Sequence, residues 1–292
     1  MIKKAMLIIS ALALVVLLPL SANAVPVLYG VSLNGHTKRS PGPSSLYTVD
    51  PISGAGTLIG DLGYAVNSIA ADPTTGIMYG ATTSWGGSFN GLLQIDLTTG
   101  AATEIGAFGG SFWSILGLTF NSSGELFGWH DPSADDPVRI NIMTGEATTL
   151  GPGFNTDRKV LAFDNSDNLT LVQFKRVYDI NQTTGVATIT SILDFDPGSG
   201  GADFDPTTGL LWAASTDGRT EDSWIRVTDI AGNNFTDINT DITYLHALTF
   251  APGSKPVPEP TTILLLGSGL IGLVGFRRKL RSNSLRFSVL RC

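Results

Sequence analysis

Cysteine is almost absent from this chain: of its 292 residues only Cys292, the last, is a cysteine. An internal disulfide framework is therefore excluded, and stability has to come from an apolar core, which this chain length allows. Common catalytic motifs are missing as well. The sequence contains no Gly-x-Ser-x-Gly, no P-loop and no His-Glu-x-x-His. We therefore predict that the protein is not an enzyme.

Basic residues are scarce between residues 25 and 256. Ten of the 18 Lys and Arg residues lie there, against 24 of the 25 Asp and Glu residues, so this stretch has a formal net charge of −14. This balance argues against nucleic acid as a partner, because binding to phosphates needs a basic surface. An acidic middle with cationic ends instead favours export of the middle, with the basic tail on the cytoplasmic side.

Residues 1–24 have the order of a secretory signal peptide. Lys3 and Lys4 precede an apolar run over 5–20, and Ala22-Asn23-Ala24 supplies a cleavage site with small residues. We predict that signal peptidase cuts after Ala24. A retained membrane anchor is the alternative.

A second uncharged, mostly apolar run covers residues 261–276. It follows a Pro-rich linker, 252–260, and precedes a basic tail, 277–292. As a helix it spans about 24 Å, less than a hydrocarbon core of about 30 Å, and the basic side chains can snorkel to cover the difference. We predict a transmembrane helix, and a buried core helix is the alternative.

The C-terminal order of Pro258-Glu259-Pro260, hydrophobic span and Arg277-Arg278 resembles the PEP-CTERM sorting signal of Gram-negative bacteria. The resemblance covers about the last thirty residues. It implies recognition of these five residues by an exosortase-type enzyme. It also implies a membrane anchor before processing, and then a place at the cell surface or in the extracellular matrix. The resemblance specifies a destination and no activity.

Residues 25–251 contain a sequence repeat. Four short patterns each recur five times, and the glycines that close the third pattern follow one another at 46, 45, 40 and 47 residues. The first pattern occupies 68–72, 117–121, 160–164, 201–205 and 247–251; the second 28–30, 78–80, 126–128, 169–171 and 211–213. The third occupies 46–54, 92–100, 138–145, 177–185 and 225–232; the fourth 55–59, 101–105, 146–150, 186–190 and 233–238. Each is β-prone and bounded by turn residues, so each unit predicts a four-stranded propeller blade.

The phase of the repeat predicts how the ring closes. The first unit lacks a first pattern, and the chain ends on an orphan first pattern at 247–251. The last strand would therefore become the innermost strand of the first blade and hide both sheet edges. We predict an all-β, five-bladed β-propeller over residues 25–251. An open sandwich or a repeat array is the alternative.

Long, varied connections on one face of such a propeller are candidates for ligand binding. The connections between second and third strands are 32–45, 83–91, 129–137 and 215–223; those between blades are 106–114, 151–158, 191–201 and 239–245. Aromatic and acidic side chains there suit sugar rings and hydroxyls. The predicted ligand-binding residues are Trp85, Phe112, Trp113, Trp129, His130 and Asp131. The alternative is that the aromatics pack between blades.

Three functional hypotheses follow. The first is a non-enzymatic surface or matrix protein that binds polysaccharide or protein; a periplasmic sensor or scaffold is not distinguishable from it. The second is a glycoside-processing propeller, for which Asp203 is the one acid within a first pattern. We expect no cofactor, and leave calcium open at two acidic groups. These groups are His130, Asp131, Asp135 and Asp136, and Asp194, Asp196 and Asp203.

Overall fold

Each of the five repeats folds into one four-stranded antiparallel sheet, which we call a blade. The computed structural model describes residues 25–33, 42–82, 89–110, 112, 114–131, 136–153, 159–196, 200–217 and 222–253. The predicted signal peptide, Pro-Glu-Pro motif, transmembrane helix and basic tail lie outside these residues. Among the described residues, we find no helix with the length and hydropathy that a membrane span requires.

The described residues form twenty strands, and each blade is built from its innermost strand outward. Blade 1 contains β20 (Leu245–Ala251), β1 (Val27–Leu33), β2 (Ser44–Val49) and β3 (Gly56–Asp61). Blade 2 contains β4 (Val66–Ala71), β5 (Met78–Thr82), β6 (Gly91–Ile95) and β7 (Ala102–Ala107). Blade 3 contains β8 (Ser114–Phe120), β9 (Leu126–Asp131), β10 (Pro137–Ile140) and β11 (Ala147–Thr149). Blade 4 contains β12 (Lys159–Phe163), β13 (Leu169–Gln173), β14 (Arg176–Ile180) and β15 (Ala187–Ile192). Blade 5 contains β16 (Ala202–Phe204), β17 (Leu211–Thr216), β18 (Ser223–Asp229) and β19 (Asn234–Asn239).

The innermost strands form a closed ring. Each of β20, β4, β8, β12 and β16 contacts the innermost strands of both neighbouring blades. Each of the five strands is formed by residues of a first pattern, which confirms the prediction of an all-β, five-bladed propeller with four-stranded blades.

The last strand closes the ring. β20 pairs antiparallel with β1, and the register places Leu28 opposite Phe250 and Gly30 opposite Leu248. Blade 1 thus takes three strands from the beginning of the repeat region and one from its end, as the phase of the repeat predicts. This pairing removes the two edges that an open array would expose along β1 and β20.

The core lies between the blades. Five clusters of buried apolar side chains each join residues from two adjacent blades. At the closure, Leu28 and Leu248 of blade 1 pack with Trp212 and Ile225 of blade 5. Burial of apolar surface stabilises by about 25 cal/mol per Å², so the cluster at the closure stabilises the ring through the same kind of contact as the other four.

The recurrent glycine of the third pattern has a packing reason. Gly145 lies in the turn between β10 and β11 with φ +77°, and a Cβ there would meet the carbonyl oxygen of Gly106 in blade 2 at 2.2 Å. The same approach occurs between Gly100 and Gly60. These glycines therefore permit both a left-handed turn and a close contact between backbones of adjacent blades.

The turns at this end of the blades share one hydrogen-bond arrangement. In the turn after β6, Oδ1 of Asp96 accepts hydrogen bonds from the backbone N–H of Thr98 at 2.7 Å and of Thr99 at 3.0 Å. These bonds lower the pKa of Asp96. The hydrogen bonds of such a turn stay within four or five consecutive residues. The turns between third and fourth strands are therefore more uniform than the connections between second and third strands.

Replacing Gly145 with Ala tests the backbone contact. We expect Gly145→Ala to lower the free energy of unfolding by at least about 2 kcal/mol more than Gly76→Ala, because overpacking adds to the left-handed strain. Gly76 is the matched control, since its φ is +75° and a Cβ there meets nothing within 4 Å. The measurement is urea unfolding of residues 25–253. Equal losses for the two variants would contradict the packing role.

Candidate functional site

The two ends of the blades differ in their connections. We call one end the turn face, where first strands join second strands and third strands join fourth strands. We call the other end the variable face, where second strands join third strands and blades join one another. The internal residues outside the described ranges all belong to variable-face connections: 34–41, 83–88, 111, 113, 132–135, 154–158, 197–199 and 218–221.

Three of the six predicted ligand-binding residues can be placed with their side chains. Phe112 is half-buried between β7 and β8, and its ring meets the ring of His130 edge-on, with centroids 4.9 Å apart. The three residues are thus Phe112, His130 and Trp129. Trp85, Trp113 and the side chain of Asp131 lie outside the described residues, so their predicted roles stay predictions.

Hydrogen bonds tie connections of blades 2 and 3 together around Phe112. Asn90 donates from Nδ2 to the carbonyl oxygen of Phe112 at 2.5 Å. The backbone N–H of His130 donates to the carbonyl of Asp136 at 2.9 Å, and Oδ1 of Asp136 accepts from the N–H of Gly153 at 2.6 Å. Phe112 is therefore held in a fixed position at the variable face.

Trp129 does not lie in a surface loop, and that prediction is wrong. β9 extends to Asp131 and so includes Trp129, which is 0% exposed and packs with Leu161 and Phe163 of blade 4. Its position corresponds to Val31 in blade 1, which is also 0% exposed. The second pattern ends at residue 128, so the sequence placed Trp129 in the connection 129–137, whereas tertiary packing places it between blades, as the alternative had it. His130 is likewise only 2% exposed.

The innermost strands contact one another in a ring, and we call the place where their ends meet the variable face the axial mouth. Its five equivalent positions each immediately precede a first pattern: Asn67, Leu116, Lys159, Gly200 and His246. Asn67, Leu116 and His246 are half-buried, whereas the residues that follow them on their strands are mostly buried. Since the innermost strands pack against a blade on each side, exposure at these positions points to the axis.

β-bulges shape the axial mouth. In the pairing of β4 with β5 the register shifts between Val66 and Ser68, so Asn67 is the extra residue. In the pairing of β20 with β1 the partner of Val31 is Ala247 and that of Ser32 is Leu245, so His246 is the extra residue. A third shift occurs in β8 after Leu116. Bulges redirect side chains and are over-represented next to functional sites.

Hydrogen bonds to the neighbouring blade hold both bulged residues. Asn67 donates from Nδ2 to Oγ of Ser114 in blade 3 at 2.8 Å. The carbonyl oxygen of His246 accepts from the N–H of Gly201 in blade 5 at 2.7 Å. The two polar residues are thus fixed from the neighbouring blade as well as from their own.

Asp203 lies deeper along the axis, on β16. Its Oδ2 accepts hydrogen bonds from Oγ1 of Thr249 and the N–H of Phe250, both at 2.9 Å, and Oδ1 accepts from the N–H of Phe204 at 2.9 Å. Burial raises the pKa of Asp203 to about 6 although these bonds oppose the shift. The carboxyl group therefore joins blade 5 to the closing strand of blade 1.

The acidic groups considered for calcium do not converge within the described part of the chain. No group of three His, Cys, Asp or Glu side chains there could hold a metal ion. Asp194 pairs with Asn233 on blade 5, since its Oδ2 accepts from Nδ2 of Asn233 at 2.8 Å. The side chains of Asp131 and Asp135 lie outside the described residues, so calcium stays an untested alternative.

Comparison with known proteins identifies the C-terminal segment. Residues 256–279 match the family described as the PEP-CTERM protein-sorting motif. The chain therefore carries a signal that implies export, exosortase-type processing and a cell-surface or extracellular destination. No curated protein matches the chain.

Solved structures resemble the chain in fold. A structural-genomics protein of unknown function from Bacteroides thetaiotaomicron is 13% identical, with a TM-score of 0.50, over 80% of this chain and 66% of its own length. TolB from Acinetobacter baumannii is 12% identical, with a TM-score of 0.43, over 77% and 67%. A symmetrical protein from work on de novo evolutionary emergence is 16% identical, with a TM-score of 0.48, over 80% and 100%. At such identities the first likeness shows the fold alone.

The pH dependence of stability tests the part that Asp203 plays in the closure, because Asp203→Asn removes the titrating carboxyl group. Because its folded pKa of about 6 lies above the ordinary 3.8, its contribution to stability is full below pH 3.8 and is lost as pH rises to about 6. The free energy of unfolding of the wild type, minus that of Asp203→Asn, should fall by up to about 3 kcal/mol between pH 3.8 and 6.5.

Urea unfolding of residues 25–253 at several pH values gives this difference directly. Thr249→Val is the control, because it removes one hydrogen bond to the carboxyl group and leaves the titrating group in place. Its profile should still fall with pH, and the fall should extend to a higher pH than in the wild type, because the hydrogen bond that it removes lowers the pKa of Asp203. Parallel profiles for the wild type and Asp203→Asn would contradict the assignment.

Proposed function

We propose that this chain is an exported, non-enzymatic protein of the cell surface or extracellular matrix that binds polysaccharide or protein through its variable face. The observation that carries the proposal is the PEP-CTERM motif at residues 256–279, behind a propeller domain with one uniform and one diverse face. Before processing, the predicted helix over 261–276 anchors the chain in the membrane.

The variable face supports a binding role. Phe112 offers a partly exposed ring, Asn90 binds its backbone carbonyl, and the axial mouth adds the polar residues Asn67 and His246. Aromatic rings with a few convergent polar groups are typical of sites for small molecules and sugars. The turn face, by contrast, uses its Asp and Asn side chains in local turns.

Glycoside processing is the second candidate, and the raised pKa of Asp203 favours it, since a general acid needs such a shift. Glycosidases, however, need a pair of carboxyl groups. The equivalent positions on the other innermost strands are Ala70, Thr119, Ala162 and Thr249. The three hydrogen bonds to Asp203 also give this residue a structural role. We therefore favour binding without catalysis.

A glycan array probed with residues 25–253, with and without calcium, tests the proposal. We expect selective binding to a polysaccharide, and a loss of about tenfold in affinity for Phe112→Ala, because a stacked ring contributes about 1 kcal/mol or more. Phe235→Ala is the matched control, since Phe235 is 43% exposed on the outer strand β19. Thermal unfolding verifies that both variants are folded.

Two results would count against the proposal. Binding to neither polysaccharides nor surface proteins of the host would remove the binding role. An equal loss for Phe112→Ala and Phe235→Ala would remove the variable face as its location. Trp129→Ala is unsuitable as a probe, because it would open a cavity between blades.

A further inference from the structure

We propose that β15, the outer strand of blade 4, pairs antiparallel with β15 of a second copy of this chain. Two domains would then share one continuous sheet around a two-fold axis. This inference goes beyond the proposed function, because it concerns the outer edge of a blade and no ligand of the variable face. It is carried by the unpaired edge of β15, by its lack of charge and by its exposed isoleucines.

Each blade ends in an outer strand that pairs on one side only, as far as the described residues show. These strands are β3, β7, β11, β15 and β19. The unpaired side of such a strand presents backbone N–H and C=O groups, which form a template for another strand. Proteins commonly shield these edges by keeping the strand short or by placing charged residues on it.

Four of the five outer strands are shielded in one of these ways. β11 has three residues, and β3, β7 and β19 contain Asp61, Glu104 and Asp237, respectively. β15 instead has six residues, with no charge, proline or glycine. Four of the six are Thr or Ile, which are β-branched and favour strands. β15 is therefore the described outer edge that stays available to a further strand.

Exposed apolar side chains concentrate on the same blade. Of the nine large apolar residues that are exposed in the described part of the chain, four belong to blade 4: Phe174, Val186, Ile189 and Ile192. Ile189 lies opposite Tyr178 of β14. Thr190 is the extra residue of a bulge, so Ile192 lies opposite Arg176. Since residues 176 and 178 are two apart on β14, both isoleucines lie on the same face of the sheet.

The neighbouring blade leaves this face uncovered. Tyr178 belongs to the apolar cluster between blades 3 and 4, so the face that it shares with the isoleucines is directed to blade 3. The outer strand of blade 3 is the short β11, which ends at Thr149. A two-fold axis perpendicular to the sheet keeps the isoleucines of both copies on one face, where side chains of paired strands contact each other.

The charge of the domain favours a second copy over a basic partner. Residues 25–256 carry a formal net charge of −14, so two copies repel each other wherever acidic surfaces meet. In a symmetric pair an acid on the strand would also oppose an acid of the other copy. Residues 180–193, which include all of β15, contain no charged residue. A basic partner would instead gain most at the acidic outer strands.

The arrangement leaves the variable faces free. β15 begins at the turn face and ends at the variable face, so an antiparallel pair directs the two variable faces to opposite ends. The pair also uses both β15 edges at once, which closes the assembly at the dimer.

Sedimentation equilibrium of the full-length protein in mild detergent tests the inference. We expect a monomer–dimer equilibrium with Kd of the order of 10 µM, because one pair of strands makes a small interface. Ile189→Lys should raise Kd by at least about tenfold, since it removes an apolar contact and brings two like charges together. A dimer that this variant leaves intact would place the contact elsewhere and overturn the inference.

Leu58→Lys is the matched control. Leu58 lies beside the corresponding bulge in β3, opposite Tyr47, and is 59% exposed against 53% for Ile189. It receives the same charge on an outer strand that already contains Asp61, so Kd should change by less than about twofold. An equal rise in Kd for both variants would reduce the effect to net charge and overturn the inference. Thermal unfolding verifies that both variants are folded.

Hydrogen exchange at low and high protein concentration identifies the contact. The amides of β15 that point away from β14 should exchange more slowly as the dimer forms, whereas the outward amides of β3, β7 and β19 should not change. A dimer in which the outward amides of β15 stay unprotected would show that the copies do not share a sheet, and would overturn the pairing.

Two further outcomes are decisive. A monomer at every concentration would overturn the pairing of two copies, including the case in which a different exported protein protects β15. Growth into filaments would show that β15 pairs with another edge, and would overturn the two-fold arrangement. Neither result bears on binding through the variable face, so the proposed function is tested separately.

Discussion

The pairing of β20 with β1 is the contact on which the rest of the structure depends. It joins the two ends of the repeat region, places a fifth innermost strand in the ring and completes the apolar cluster between blades 5 and 1. The hydrogen bonds from Thr249 and Phe250 to Asp203 secure the same junction from inside the ring. Without this strand, β1 and the blade-5 face of the ring would be exposed edges.

Closure also creates the axial mouth. His246 belongs to the closing strand, and its carbonyl is bound by Gly201 of blade 5, so its position depends on both ends of the chain meeting. Asn67 is held in the same way by Ser114. The ends of paired strands are more rigid than the loops alone, so residues placed there have defined positions.

The sequence predicted the fold well, because the repeat and its phase are read directly from residue patterns. The first unit, which begins at Leu28-Tyr29, and the orphan pattern Ala247–Ala251 together predicted the observed closure. The site was harder to predict, since burial depends on partners distant in sequence. Trp129 looked like a loop aromatic and is a core residue, while Asn67 and His246 were missed. Both residues stand directly before a first pattern, but the bulges that take them out of register depend on the pairing with a second strand.

Native-state hydrogen exchange of the β20 amides tests the central claim most directly. If β20 closes the ring, the N–H groups of β20 that bond to β1 should exchange only through global unfolding, with the free energy found for the inner strands β8 and β12. Exchange of β20 at a much lower free energy, while β8 and β12 stay protected, would contradict closure as the interaction on which the fold depends.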